Sequence, residues 1–344
     1  MKVLVTGHHG FIGSVMVDVL TRGGHDVTGL DTFLFSGCDF GAERRLVPAI
    51  RKDVRDVGPD DLAGFDAVIH LAALSNDPLG NLNEECTFDI NHLGSMNVAR
   101  AARAAGVERF LFASSCSLYG TAGDTMLGED ARFCPITPYG TSKVLVETDL
   151  SLLADQRFSP TFLRCATAYG VSPRLRADVV VNNLVGVAFT TGEAMIESDG
   201  TPWRPLAHVE DISAAFLAVL QAPRDAIHNQ AFNVGNTNEN YQIRDVAETV
   251  RDLVPGCTIR YRDGGGPDPR CYRVNCDKLA KAVTGYRTRW TVRRGVEELS
   301  AAFIEHGLTR EAFSEYFRLR KIEEHVRSSR LDGALRWRTS PVAA

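Results

Sequence analysis

The chain has 344 residues, 44% of them apolar and 24% charged, with a formal net charge of −5, which is enough chain for a large core and about two domains. No basic surplus marks a nucleic-acid footprint, no apolar run reaches bilayer length, and the first residues read as a strand rather than a signal sequence. The eight cysteines (38, 86, 116, 134, 165, 257, 271, 276) form no Cys-x-x-Cys pair, so they read as reduced thiols of a cytoplasmic protein with no metal site.

Lys2 to Thr6 is a β-prone run that enters a Gly-x-x-Gly-x-x-Gly turn at Gly7, Gly10 and Gly13. A helical pattern follows at once in Phe11, Ile12, Val15, Met16, Val19 and Leu20. Such a turn presents backbone N–H groups and a helix N-terminus to a pyrophosphate. Gly7 permits the sharp turn, Gly10 the approach of phosphate, and Gly13 the packing of helix on strand. A second strand, Asp26 to Leu30, ends in Asp31, placed to take the ribose hydroxyls of a dinucleotide. Its charge repels a 2′-phosphate, which favours NAD over NADP.

Strand and helix patterns then alternate. Leu46 to Ile50 reads as a strand leading to Asp53, Ala67 to Leu71 as a strand buried on both faces, and about Asn83 to Ala105 as a long helix. Arg109 to Ala113 is the next strand, a helix begins near Tyr139, and Pro160 to Leu163 is a further strand. This alternation predicts an α/β fold with a doubly wound parallel sheet, whose ligands sit beyond the carboxyl ends of the strands. After about Gly170 the pattern changes to a polar loop, Ser172 to Asp178, and short mixed segments that suggest a smaller α+β substrate-binding region. Ile243, Val246, Ala247, Val250 and Val254 mark an amphipathic helix, and Gly264 to Pro267 is a break. Asp211 to Leu220 is expected to return as a helix against the main sheet. The segment beyond Thr309 is helical and rich in both charge signs, and reads as a solvated surface helix or a subunit contact.

Two stretches carry chemistry. Ser114-Ser115-Cys116-Ser117 follows a strand end, and Tyr139-Gly140-Thr141-Ser142-Lys143 opens a helix. Tyr139 and Lys143 are four residues apart and share one helix face, so the cation favours the phenolate. A phenolate beside a nicotinamide is a general base for oxidising an alcohol as hydride leaves the same carbon. A serine hydroxyl in reach holds the reacting oxygen.

Together these features resemble the extended short-chain dehydrogenase/reductase family, in its nucleotide-sugar epimerase/dehydratase branch. The resemblance rests on Thr6 to Gly13, Asp31, Asp53-Val54, His70 to Ala73, Asn91, Ser114-Ser115, Tyr139 with Lys143, Trp203 to Asp211, and Asp268-Pro269-Arg270. It implies a Rossmann-type NAD-binding domain over 1–170, with 204–234 returning to it, a substrate-binding domain over 171–203 and 235–310, and a C-terminal tail over 311–344. It implies that Asp53 and Val54 meet the adenine, that Leu71, Ala72 and Ala73 line the pyrophosphate and ribose, and that Asn91 lies near the cofactor. Tyr139 resembles the family's base, Lys143 the residue bonding the nicotinamide ribose, and Ser115 the substrate-orienting hydroxyl. Arg204 and Arg270 match positions that grip a nucleotide-sugar diphosphate, with charge-assisted forked hydrogen bonds as the physical reason. Asn182, with Asn183 as its rival, resembles an asparagine touching the same group. A homodimer is also implied.

Departures bear on the reaction. Hexose 4,6-dehydratases of the family carry an Asp-Glu pair where Cys116 and Ser117 stand, and a serine alone cannot be the base. Thr167 replaces a common asparagine near the sugar. Arg176, in a loop similar to the Arg-x-Arg-x-Asp loop of some 4-epimerases, reads either as a sugar-carboxylate contact or as plain surface. A 4-epimerase is therefore expected, against a dehydratase using Cys116, a 4-ketosugar reductase, or a non-catalytic NAD-sensing protein. Cys116 also reads as packing, and His70 and His208 as structural.

Overall fold

The computed structural model describes residues 1–41, 45–75, 80–266 and 268–338. At its centre seven strands run parallel: β1 (Lys2–Thr6), β2 (Asp26–Asp31), β3 (Ala49–Arg51), β4 (Ala67–His70), β5 (Arg109–Ser115), β6 (Ser159–Cys165) and β7 (Ala231–Val234). Their order, β7-β6-β5-β4-β1-β2-β3, places the reversal of winding beside β1, where an open α/β sheet forms its crevice. Alternation along β1 feeds two cores. Val3 and Val5 pack with Met16 and Leu20 of helix α1 (Phe11–Arg22), while Leu4 faces the opposite layer with Val68 and Phe110.

That opposite layer is built by α2 (Glu84–Phe88), α3 (Ser95–Ala104) and α4 (Pro138–Ser151). The long helix expected from about Asn83 starts where the Asn83 side chain accepts from the Cys86 N–H at 3.0 Å. Its middle is a π turn, Asp89–Gly94, which separates α2 from α3 and turns Asn91 inward. The expected return helix is α6 (Val209–Gln221), whose Phe216 and Val219 join α1 beneath the sheet. A third core is shared by α5 (Val180–Thr191), α7 (Ile243–Leu253) and α8 (Val292–Glu305) through Leu184, Val246 and Phe303. Small sheets accompany it, one joining Asn240–Gln242, Trp203–His208 and Thr167–Tyr169.

Two expectations need correction. The strand proposed over Leu46 to Ile50 is confined to Ala49–Arg51: Leu46 is 81% exposed, and Pro48 has no N–H to give a ladder. The charged C-terminal segment is not a solvated helix. In α9 (Arg318–Arg327) Ile322 is fully buried, and Leu331 and Leu335 follow it into the core beside α2 and α3. A helix with one apolar stripe among charges needs only that stripe covered, so composition concealed the docking. The break at Gly264 is a turn, and Pro267 lies outside the described residues.

Candidate active site

The carboxyl ends of the strands open onto one cleft of about 690 Å³. At one end lies the glycine turn. Gly7 has a φ of +72°, and a Cβ there would stand 2.8 Å from the Ala72 amide nitrogen. A Cβ on Gly13 would run into the Gly7 carbonyl oxygen, so helix and turn touch at a distance that only glycine permits. Gly10, Phe11, Ile12, Asp31, Asp53, Val54, Leu71, Ala72 and Ala73 all line this end. The Asp31 carboxylate accepts from the N–H groups of His9 at 3.0 Å and Phe33 at 2.8 Å. Burial pushes its pKa up, and those donors oppose the shift. Asp53 caps a short turn and is gripped by Arg55, whose Nη2 lies 2.7 Å from it. Burial works against ionisation of Asp53, but Arg55 holds its carboxyl below the ordinary range. A cradle this close, with an acid after the second strand, fits the diphosphate and ribose of NAD.

The middle of the cleft holds the expected constellation. Thr137 accepts from the Gly140 N–H at 3.2 Å and Pro138 fills the first helical position, so α4 begins where Tyr139 and Lys143 emerge on one face. The Lys143 ammonium lies 5.6 Å from the centre of the Tyr139 ring and donates to the Ala113 carbonyl at 2.7 Å. Burial pulls the Lys143 pKa down to about 8. Of the paired serines, Ser114 donates to Glu147, which also pairs with Arg164 at 2.7 Å behind the sheet. Ser115 accepts from the Ser117 N–H at 3.2 Å and keeps its own proton for another acceptor. Ser117 also lines the cleft, with its hydroxyl oxygen closed to solvent and without a partner among the described residues.

Cys116 stands apart from its neighbours. Its side chain is 1% exposed, its thiol donates to the Arg164 carbonyl at 3.1 Å, and burial pushes its pKa well above the ordinary value. The strand ends at Ser115 and a 3-10 turn begins at Cys116, which leaves Ser115 and Ser117 in the cleft lining and Cys116 in the core.

Beyond Tyr139 the cleft is lined by Thr167, Arg176, Arg204 and Arg270. Asp268 joins the last two, 2.8 Å from Arg204 and 2.5 Å from Arg270. Burial alone would raise the Asp268 pKa, yet the two guanidiniums hold it low. Arg176 is forked onto Asp178 at 2.8 and 3.0 Å.

Two expected contacts are displaced. Asn91 bonds the Leu74 N–H at 2.8 Å and its carbonyl at 3.1 Å, so it shapes the cleft wall from behind. Asn182 is likewise spent on the Gly170 N–H at 2.9 Å and carbonyl at 3.2 Å, and its rival Asn183 lines the cleft. His70 is held between Thr6 at 2.7 Å and Ser95 at 2.8 Å, and His208 stacks on Trp290 at 3.8 Å. Both are structural. Sequence reasoning missed Asp268 as a bridge, although its spacing from Arg270 signalled it, and missed Phe317, Arg318, Leu319 and Leu335 from the C-terminal segment.

A family profile described as NAD dependent epimerase/dehydratase family matches residues 3–235. The UDP-glucose 4-epimerase of Corynebacterium glutamicum is 30% identical over 330 residues, spanning 88% of this chain and 95% of that protein. That of Mycolicibacterium smegmatis is 31% identical over 322 residues, 86% of this chain and 96% of its own. Among solved structures, MoeE5 in complex with UDP-glucuronic acid and NAD superposes with a TM-score of 0.78 at 27% identity, covering 89% of this chain and 99% of that one. The glycine cradle, the Tyr139–Lys143 pair and these likenesses converge: the chain belongs to the NAD-dependent epimerase/dehydratase family, extended short-chain dehydrogenase/reductase enzymes that use NAD.

Proposed function

We propose that the enzyme is a nucleotide-sugar 4-epimerase in which Tyr139 is the base. One observation carries the reading: the cleft face after β5 is lined by Ser115 and Ser117, while the Cys116 thiol is turned into the core. A 4,6-elimination needs an acid for the leaving hydroxyl and a base for the C5 proton, and that face supplies neither. Epimerisation needs only a base at the C4 oxygen and space for the sugar to turn over.

NAD, held by the Gly7–Gly13 turn and Asp31, would supply the acceptor and later the donor of the C4 hydride. Tyr139 takes the C4 hydroxyl proton and gives it back after the sugar has rotated. Lys143, charged below about pH 8, keeps the phenolate accessible. Ser115 donates to the C4 oxygen, and Thr167 faces the sugar across the cleft. Arg204 and Arg270, oriented by Asp268, take the substrate diphosphate. The likeness to UDP-sugar enzymes supports a nucleotide-sugar substrate. The same reading takes the enzyme as a cytoplasmic homodimer, which sedimentation would test.

The discriminating experiment is mass spectrometry of a nucleotide-sugar panel incubated with enzyme and NAD in deuterated water. A separable product of unchanged mass, with no deuterium on carbon, is expected. Loss of water with deuterium at carbon would overturn the proposal in favour of elimination.

A further inference from the structure

Arg318, the first residue of α9, is 2% exposed yet lines the cleft. Its guanidinium lies over the Phe35 ring at 4.3 Å, and its Nη2 donates to the Arg174 carbonyl at 2.8 Å. Its Nη1 has no partner among the described residues. The neighbouring arginines are matched, Arg174 with Asp39 and Arg176 with Asp178, but Arg318 has no carboxylate at ion-pair distance among the described residues. A buried cation with an idle donor is costly unless an anion completes it.

Its surroundings say which anion. Phe35 belongs to the loop that follows Asp31, and both line the cleft. Arg174 follows Ser172, whose hydroxyl donates to the Phe11 carbonyl at 2.8 Å and lies 3.0 Å from that of Ser14. Arg318 is thus tied to the first turn of α1, where the glycine cradle presents its N–H groups. The Arg204–Asp268–Arg270 cluster is separately built. The C-terminal segment also holds the same loop: His325 Nε2 meets the Leu34 carbonyl at 3.0 Å, and the Trp337 indole donates to the Thr32 carbonyl at 2.6 Å.

We propose that Arg318 is a dinucleotide-binding residue, supplied by a C-terminal segment outside the matched family region, whose Nη1 is closed to solvent in the ligand-free protein and turns into the cleft to donate to the diphosphate of NAD. This rests on the placement of NAD in the glycine cradle. Leu335, which lines the cleft near Asp53 and Val54, closes the adenosine end from the same segment.

The test is calorimetric titration of dinucleotide-free protein with NAD, ADP and adenosine. Arg318→Gln is expected to weaken NAD and ADP by roughly 10- to 100-fold, the scale of a charged hydrogen bond, and to leave adenosine unchanged. Its ligand-free unfolding midpoint should equal or exceed that of the parent, because an unmatched buried cation is gone. Equal weakening of ADP and adenosine, or of neither, would overturn the proposal. So would a loss seen only for UDP on NAD-loaded enzyme, since the anion would then be the substrate's. If Arg318→Gln does not fold, Arg318→Lys keeps the charge without the fork, and ADP must weaken while adenosine does not. Adenosine binding that ignores Asp31→Ala would overturn the placement of NAD itself.

Discussion

Lys143 gives the sharpest physical test of the site. Burial lowers its pKa from the ordinary 10.5 to about 8. That difference, about 2.5 pH units at about 1.36 kcal/mol each, means the folded protein bears about 3 kcal/mol to keep the ammonium charged at pH 7. Lys143→Met removes that burden and also leaves the Ala113 carbonyl without its donor, a loss of about 1–3 kcal/mol. The net gain at pH 7 is therefore about 0–2 kcal/mol, in a protein that has lost its turnover. The pH dependence is cleaner than the net value. Below about pH 8 the lysine is charged in both states and the burden is constant. Between about 8 and 10.5 the unfolded chain binds the proton and the folded one does not, so parent stability rises with pH relative to the variant. Urea unfolding of both dinucleotide-free proteins at pH 7 and pH 9.5 should show the variant's lead falling by about 2 kcal/mol. A lead that stays constant across that range would refute the desolvated-ammonium reasoning.

Tyr139→Phe should lower turnover by about 100- to 10,000-fold while NAD remains bound, as read by the nucleotide released on denaturation. Near-normal turnover would remove Tyr139 as the base. Cys116→Ser should leave kcat within about threefold, because the thiol faces the Arg164 carbonyl and not the cleft; a collapse of kcat at unchanged stability would restore the thiol to the chemistry. Ile322→Ala should destabilise the whole protein by about 2–5 kcal/mol, the scale of a buried large-to-small change. An unchanged urea midpoint would mean that the C-terminal segment is not part of the core.

Local chemistry made much of this legible. Glycines at 7, 10 and 13 between a strand and a helix leave few geometries open, and the steric fit of Gly7 against Ala72 shows why. Tyr139 and Lys143 depend only on helical periodicity and on the start of α4 at Pro138. The interrupted helix after Asn83 and the short β3 were harder, since a π turn and a proline-limited ladder change boundaries without changing the apolar pattern.

What the residues alone determined, then, was a parallel sheet, an NAD cradle and a Tyr–Lys–Ser set, each set by short-range periodicity and backbone sterics. Tertiary structure decided which neighbouring side chains of Ser115-Cys116-Ser117 line the cleft, which asparagine near residue 182 lines it, and where the charged C-terminal segment goes. Those outcomes depend on contacts between residues far apart in the chain, such as Arg318 with Arg174 and Trp337 with Thr32. Burial, unlike periodicity, is a property of the assembled packing, so only the fold could place a buried arginine from the last thirty residues in the lining of the cleft.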